Sequence, residues 1–319
     1  MRRNRNIAIL AFGGALVYPI FFPDPYFLHM AILIGIYGLL AISLNLLLGY
    51  TGQLSLGHAA FFGVGAYLSS LLFLNFGIPM WGGIASAIVG CGALGFVVAR
   101  LAFKLRGAYF VILTIGIAEV LKLVALNWVD LTKGPMGLTE IAAPQVNLRW
   151  IAIDFGQKVP YYYLVLFFIA LSVLVQHRLV NSSFGRSFVS IRENEDLAES
   201  VGINCYKYLV IAVIISSSIA GIAGSLYAHY VSFIDPGVFA FFVSVNAVMM
   251  AIGGGQGTQA GPILGAILFT LIPEWLRVFG DARMAVYALI VIFIVIFMPR
   301  GMLYYASQLL NPGKKNNGH

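Results

Sequence analysis

Glu119 and Lys122 stand three residues apart in an otherwise apolar run, 108–128, close enough to pair on one helical face. Ionisable groups inside a membrane are costly and mark function by default. This pair falls in the outer half of its run, and Lys122 can snorkel toward Asn127 and the surface. A structural ion pair is the simpler reading, and a substrate contact is the sharper one. His229 and Asp235 flank a helix end and suit an interface better than a metal. No His-x-x-x-His, no paired carboxylates in a soluble cleft and no nucleophile elbow is present. The residue types therefore point to no enzyme chemistry and no metal centre.

Polar residues of another kind interrupt the apolar sequence twice. GYTGQLSLGHAAFFGVGAY, residues 49–67, places Gly49, Thr51, Gly52, Gln53, Ser55, Gly57 and His58 in an oily run. Non-helical polar backbone is tolerated at membrane depth only where protein or a water-filled cavity covers it. Asn45 and Gln53, one helical turn to either side of Gly49, can share a face toward a translocation pathway. The competing reading is a polar loop at the membrane surface. NAVMMAIGGGQGTQAGP, residues 246–262, repeats the flavour, with Asn246 ahead of Gly255 and Gln256. Paired interrupted segments in two halves of a chain point to a transporter's pathway. GGGQG lacks a following Gly-Lys-Ser/Thr and a preceding strand, so it is not a phosphate cradle.

The third polar stretch is fully charged. NSSFGRSFVSIRENEDLAESVGINCYKY, residues 181–208, carries Arg186, Arg192, Glu193, Glu195, Asp196, Glu199 and Lys207 between segments with almost no charge. Asn194 is a good N-cap, Glu195 and Asp196 suit the positive end of the helix dipole, and Gly202 can close the helix in a left-handed turn. That predicts two helical turns over about 195–201. Leu197, Ala198 and Val201 then form a small apolar knob ringed by acids. So short a helix is marginal alone. It either rests in a groove on another protein or belongs to a solvated loop that joins two spans.

The elements that must position these residues are membrane helices. The chain is 60% hydrophobic and 10% charged, against roughly 45–50% and about 25% in soluble domains. Apolar runs recur at the length needed to cross a hydrocarbon layer about 30 Å thick. They fall at 7–22, 28–48, 59–75, 79–99, 108–128, 160–176, 208–229, 241–252, 262–279 and 284–298. The predicted class is an all-α polytopic membrane protein with about ten transmembrane helices and broken or re-entrant segments. The 7–22 run follows a basic N-terminus but lacks a small-residue cleavage site before Pro23, so it is read as a retained span. The weakest assignments are 241–252 and 49–58.

The net charge of +7 is spread over loops, as a topology signal and not a nucleic-acid face. Arg2, Arg3, Arg5, Arg100, Lys104, Arg106, Arg178, Arg186, Arg192, Lys207, Arg300, Lys314 and Lys315 cluster on one side, which places both termini and the charged loop in the cytoplasm. One membrane domain covers 1–306, with a cytoplasmic loop at 177–207, a longest outer loop at 129–159 where glycine and proline favour turns, and a tail at 307–319. Cys91 and Cys205 suggest no disulfide. Most of the 35 glycines, such as Gly221 and Gly224, Gly261 and Gly265, or Gly90, Gly92 and Gly95, read as helix-packing positions.

SLNLLLGYTGQLSLGHAAFFGVGAY, RGAYFVILTIGIAEVLKLV with LTKGPMGL, GRSFVSIRENEDLAESVGIN and GGGQGTQAGPILGA, in that order, resemble the permeases of branched-chain amino acid ABC importers, of the LivM type. The resemblance covers about 30–305 and implies a type II ABC importer-like permease in a bacterial inner membrane. It implies a LivH-type second permease, two ATPase subunits that bind ATP and Mg, and a periplasmic or lipid-anchored amino acid binding protein. The chain itself would bind no cofactor and hydrolyse nothing. Glu195, Asp196, Leu197, Ala198, Glu199 and Gly202 would form the helix that couples to the ATPases, with glycine three residues after the last acid. Related permeases also carry urea, amides or other amino acids. An ion-coupled secondary transporter is the rival class, and Glu119 with Lys122 is thin material for a relay.

Overall fold

The computed structural model describes residues 13–102, 108–148, 151–298 and 301–309. Arg2, Arg3, Arg5, Lys104, Arg106, Arg300, Lys314 and Lys315, the start of the 7–22 span and the tail from 310 lie outside the described residues. The described end of helix α1 covers 13–21. Helix α2 (Pro25–Asn45) starts on a proline that suits the first turn, and the Asp24 carboxylate accepts from Tyr26 N at 2.7 Å. A π turn, Leu46–Thr51, ends it. Then come α3 (His58–Phe76), α4 (Met80–Ala102), α5 (Ala108–Asn127) and the single turn α6 (Val129–Thr132).

The hairpin β1 (Gln145–Leu148) and β2 (Ile151–Asp154) leads into α7 (Lys158–Val180). Two short helices, α8 (Ser183–Glu193) and α9 (Glu195–Ser200), precede the long α10 (Cys205–Val231). The rest is α11 (Phe241–Gly255), α12 (Gly261–Trp275), α13 (Arg283–Phe297) and α14 (Met302–Leu309).

Seven described helical segments are long and apolar enough to cross a membrane: α2 with its π turn, α3, α4, α5, α7, α10, and α12 extended to Gly280. The helices α11 and α13 are shorter. The structure therefore supports a polytopic, predominantly helical membrane architecture without the expected count of about ten. The 129–159 segment, expected as turns, contains α6, a 3-10 turn at Gly134–Met136 and the hairpin.

The core is built on α2 and α10. Ile32, Ile36, Leu39, Leu40 and Leu44 of α2 are buried on all sides, as expected of a helix that is apolar all round and surrounded by others. Lipid supplies no hydrophobic drive between helices, so close packing and interhelical hydrogen bonds must hold them. Small residues do this. A Cβ at Gly224 of α10 would land on the Phe62 carbonyl of α3, and one at Gly65 of α3 would land on the backbone of Gly221. The pairing of Gly221 and Gly224 thus works as packing, and so does Gly265 of α12 against the Met250 carbonyl of α11.

The bundle has two distinguishable ends. At one, Lys158 Nζ donates to Pro25 O at 2.9 Å, Tyr26 donates to Glu274 at 2.7 Å, and Leu138 pairs with Ile234 in an isolated bridge. His229 is buried there and not interfacial: Nδ1 lies 2.7 Å from Ala142 O, and Nε2 lies 2.9 Å from Ser69 Oγ. The Ala142 carbonyl can only accept, so Nδ1 carries the proton and Nε2 accepts from Ser69. Asp235 caps the 3-10 turn Pro236–Phe239. At the other end lie the π turn, α8 and α9. Gly224→Val is expected to lower the thermal unfolding midpoint of the detergent-solubilised protein, at an overpacking cost of about 1–3 kcal/mol or more. Gly116→Ala, whose Cβ would meet open space inside α5, is expected to hold or slightly raise the midpoint in the same melt, as alanine is the better helix former.

Candidate functional site

Asn45 is the last residue of α2 and is fully buried. Its Nδ2 donates to Thr258 O at 2.8 Å, and its Oδ1 accepts from Gly257 N at 2.9 Å. One amide therefore spans the two glycine-rich interruptions, which lie more than 200 positions apart in sequence. It supplies a donor and an acceptor to backbone groups that have left regular helix. Gly49 lies so close to Gly257 and Asn45 that a Cβ there would overlap both. Arg192 Nη1, from the last turn of α8, donates to Gly49 O at 2.7 Å. Gln259 Nε2 sits 2.7 Å from His177 Nδ1 at the end of α7. Four segments thus meet at one end of the bundle.

The two interruptions resemble each other in composition but not in backbone. In the first, the π turn widens α2, Leu47 O collects Thr51 Oγ1 at 2.7 Å and Gln53 N at 3.3 Å, and Gly52 turns left-handed at φ 75°. The second keeps α form up to Gly255, which leaves it at φ 130°, and reverses through Gly257 at φ 73°. Of the residues singled out from sequence, Asn45 joins the two, Gln53 is half-buried, and Gly52, Asn246 and Gln256 are exposed. Asn246 lies apart along α11, where Tyr287 donates to it at 3.5 Å.

His58 and Ser55 are buried at the start of α3. His58 Nε2 lies 2.9 Å from Ser216 Oγ, and Ser216 donates to Ser43 O at 2.5 Å. The one hydroxyl proton of Ser216 is spent on that carbonyl, so His58 Nε2 must donate and Nδ1 holds a bare lone pair in the neutral ring. Among the described residues, neither His58 Nδ1 nor Ser55 Oγ has a hydrogen-bond partner. Ser244 Oγ of α11 accepts from Ala59 N at 2.8 Å. The first turn of α3 thus ties together α2, α10 and α11, and keeps one acceptor and one hydroxyl uncommitted.

The charged stretch folds largely as its caps require. Asn194 accepts from Leu197 N at 2.9 Å, and α9 closes through Gly202 at φ 90°, with Gly202 N on Glu199 O at 3.0 Å and Ile203 N on Ala198 O at 3.0 Å. The expected common face of Leu197, Ala198 and Val201 splits. Ala198 packs inward with Ile191, Cys205 and Leu209, while Leu197 is 62% and Val201 70% exposed. The reason is α8, an unexpected helix that offers α9 a surface to sit on. Gly185, Phe188 and Ile191 at threefold spacing make its buried stripe, and that spacing was legible in the sequence. Glu119 and Lys122 pair at 3.0 Å on the partly exposed face of α5. Among the described residues no cluster of three His, Cys, Asp or Glu could hold a metal.

Residues 26–298 match the family described as "Branched-chain amino acid transport system / permease component". The chain belongs to that family. It is 31% identical over 293 residues to the high-affinity branched-chain amino acid transport system permease protein LivM of Escherichia coli, covering 86% of this chain and 69% of that protein. Identity is 29% over 283 residues to a probable branched-chain amino acid transport permease LivM of Methanocaldococcus jannaschii, with 77% and 79% covered. The LivH permease of Escherichia coli is 24% identical over 288 residues, 84% of this permease and 91% of LivH. Asn45→Leu in this permease would strip half-buried backbone groups of their partners, at about 1–3 kcal/mol each. Amide hydrogen exchange is expected to accelerate at 255–261 and to stay unchanged in the middle of α2.

Proposed function

We propose that the chain is one permease subunit of an ATP-driven importer that moves leucine, isoleucine and valine across a bacterial inner membrane. The observation that carries this reading is the placement of α9. Its exposed Leu197 and Val201, with Glu195, Asp196 and Glu199 around them, project at the end of the bundle where both interrupted helices terminate. An apolar knob with an acidic rim suits a groove on a partner protein, and the family match makes an ATPase subunit the natural occupant.

In this reading that end faces the cytoplasm with both termini, as the basic residues favour. The shorter α11 and α13 and the 7–22 run complete ten spans. A homologous second permease of the LivH type pairs with this one, and a binding protein delivers solute to the opposite end and selects it. Two ATPase subunits hold ATP and Mg, and their closure drives α8 and α9, which lie between α7 and α10 and pass the displacement on to them. The pathway runs past Gln53, Ser55 and His58, where the uncommitted acceptor and hydroxyl offer polar contacts to a zwitterion. Asn246 and Gln256 contribute from α11 and its turn, while Glu119 and Lys122 serve as a structural pair.

Replacing Glu199 and Gly202 together is expected to abolish ATP-dependent uptake while membrane insertion stays intact. Normal uptake by that variant would remove the coupling role. Gln53→Leu is expected to alter the kinetics of leucine uptake while the ATPase subunits co-purify as before, and a loss of the ATPases instead would count against a place on the pathway.

A further inference from the structure

We propose that Arg192 is the positioning residue through which movement of α8 and α9 reaches the broken ends of α2 and α11. This rests on the coupling reading above and assigns the link inside the bundle that the reading requires.

Arg192 lies in an acid-rich stretch with Glu193, Glu195, Asp196 and Glu199 as neighbours, and its guanidinium also reaches out of that stretch to the end of α2. Nη1 donates to the Gly49 carbonyl at 2.7 Å, across more than 140 positions. The π turn makes that carbonyl available, because the last carbonyls of a helix lack an intrahelical partner. A guanidinium donor makes the bond charge-assisted, stronger than a neutral one and directional.

The surroundings are cut to fit this side chain. A Cβ at Gly52 would stand 2.9 Å from Arg192 Cγ, so the arginine stem lies across a glycine that is already left-handed at φ 75°. A Cβ at Gly257 would stand 3.2 Å from Arg192 Nη1 and 3.0 Å from Gly49 O. Both interruptions therefore present a bare backbone surface to one guanidinium. Asn45 then ties Gly257 and Thr258 to the end of α2, so a pull on Gly49 is a pull on both breaks.

The other end of the lever is equally fixed. Phe188 and Ile191 are buried along α8. Ile191 packs with Ala198 of α9 and with Cys205 and Leu209 of α10. Asn194 joins α8 to α9 through its cap. Through Ala198 on Ile191, a displacement of α9 is passed to the last turn of α8, where Arg192 is the next residue.

The test uses the full importer in liposomes, with its ATPase subunits and binding protein, and measures solute moved per ATP hydrolysed. Arg192→Ala is expected to keep its ATPase subunits through purification and to hydrolyse ATP within about twofold of the parent. It is expected to move at least about tenfold less leucine per ATP, the scale set by losing a charge-assisted hydrogen bond. Arg192→Lys, which restores one charged donor, is expected to recover most of that ratio. A parental ratio in R192A overturns the proposal. So does a parallel fall in uptake and hydrolysis, or loss of the ATPases from a folded, membrane-inserted variant, either of which makes Arg192 a support for docking. If R192A does not fold into the membrane, Arg192→Gln decides: a fallen ratio supports the link, and an unchanged one overturns it. Failure of the coupling reading shows separately, as normal uptake when Glu199 and Gly202 are replaced.

Discussion

Backbone polar groups released where two helices break need hydrogen-bond partners, and where burial keeps water away the protein must supply them. The Asn45 amide meets that constraint for both breaks at once, giving its donor to Thr258 O and its acceptor to Gly257 N. Glycines at 49 and 257 allow the two backbones to approach closely enough for one short side chain to span them. Leucine would fit the volume of Asn45 but would leave a donor and an acceptor stranded. One side chain therefore holds the two interrupted segments to each other.

The same economy places polar groups elsewhere. Ser225, Ser69, His229 and Ala142 O form a one-directional relay of hydrogen bonds from α10 through α3 to the segment before the hairpin. His58, Ser216 and Ser43 O form a second one at the start of α3. The first is closed at both ends. The second leaves His58 Nδ1 without a protein partner among the described residues, which separates a relay that only holds from one that can also receive. Burial alone would not distinguish the two histidines, since both are fully covered.

Much of this was legible in residue types and spacing. Asn194, the early acids and Gly202 marked α9 to within a residue, because caps and dipoles act locally. The polar interruptions stood out against apolar sequence for the same reason. Their contact did not, because no local pattern reports that Asn45 meets Gly257. Arg192 was read as one charge among many. Its partner is a backbone carbonyl, which carries no side-chain signature. The helix α8 was hidden by composition: serines and arginines looked like loop, and only the stripe of Gly185, Phe188 and Ile191 shows that one face is buried. Seven of the ten expected spans stand out as full-length crossings among the described residues. Apolar content marks α11 and α13 well, but at 15 residues each they fall short of the roughly 20 that a perpendicular crossing needs.

Small-residue packing divides the bundle into parts of unequal stiffness. Helices α3, α4 and α10 meet backbone to backbone, through Gly65 on Gly221, Gly224 on Phe62 and Gly221 on Ala87 O. Helices α11 and α12 do the same through Gly265 on Met250 and Gly254 on Gly261. Interlocked backbones of this kind cannot slide past each other without collision. Among the described residues, Ala59 N donates to Ser244 Oγ across the two sets, and the Asn45 clamp ties the second set to the end of α2. A hydrogen-bonded seam can shift its register at lower cost than a glycine interface can part. A displacement of one set against the other would have to be taken up along α2 and the start of α3, where His58, Ser55 and Gln53 lie.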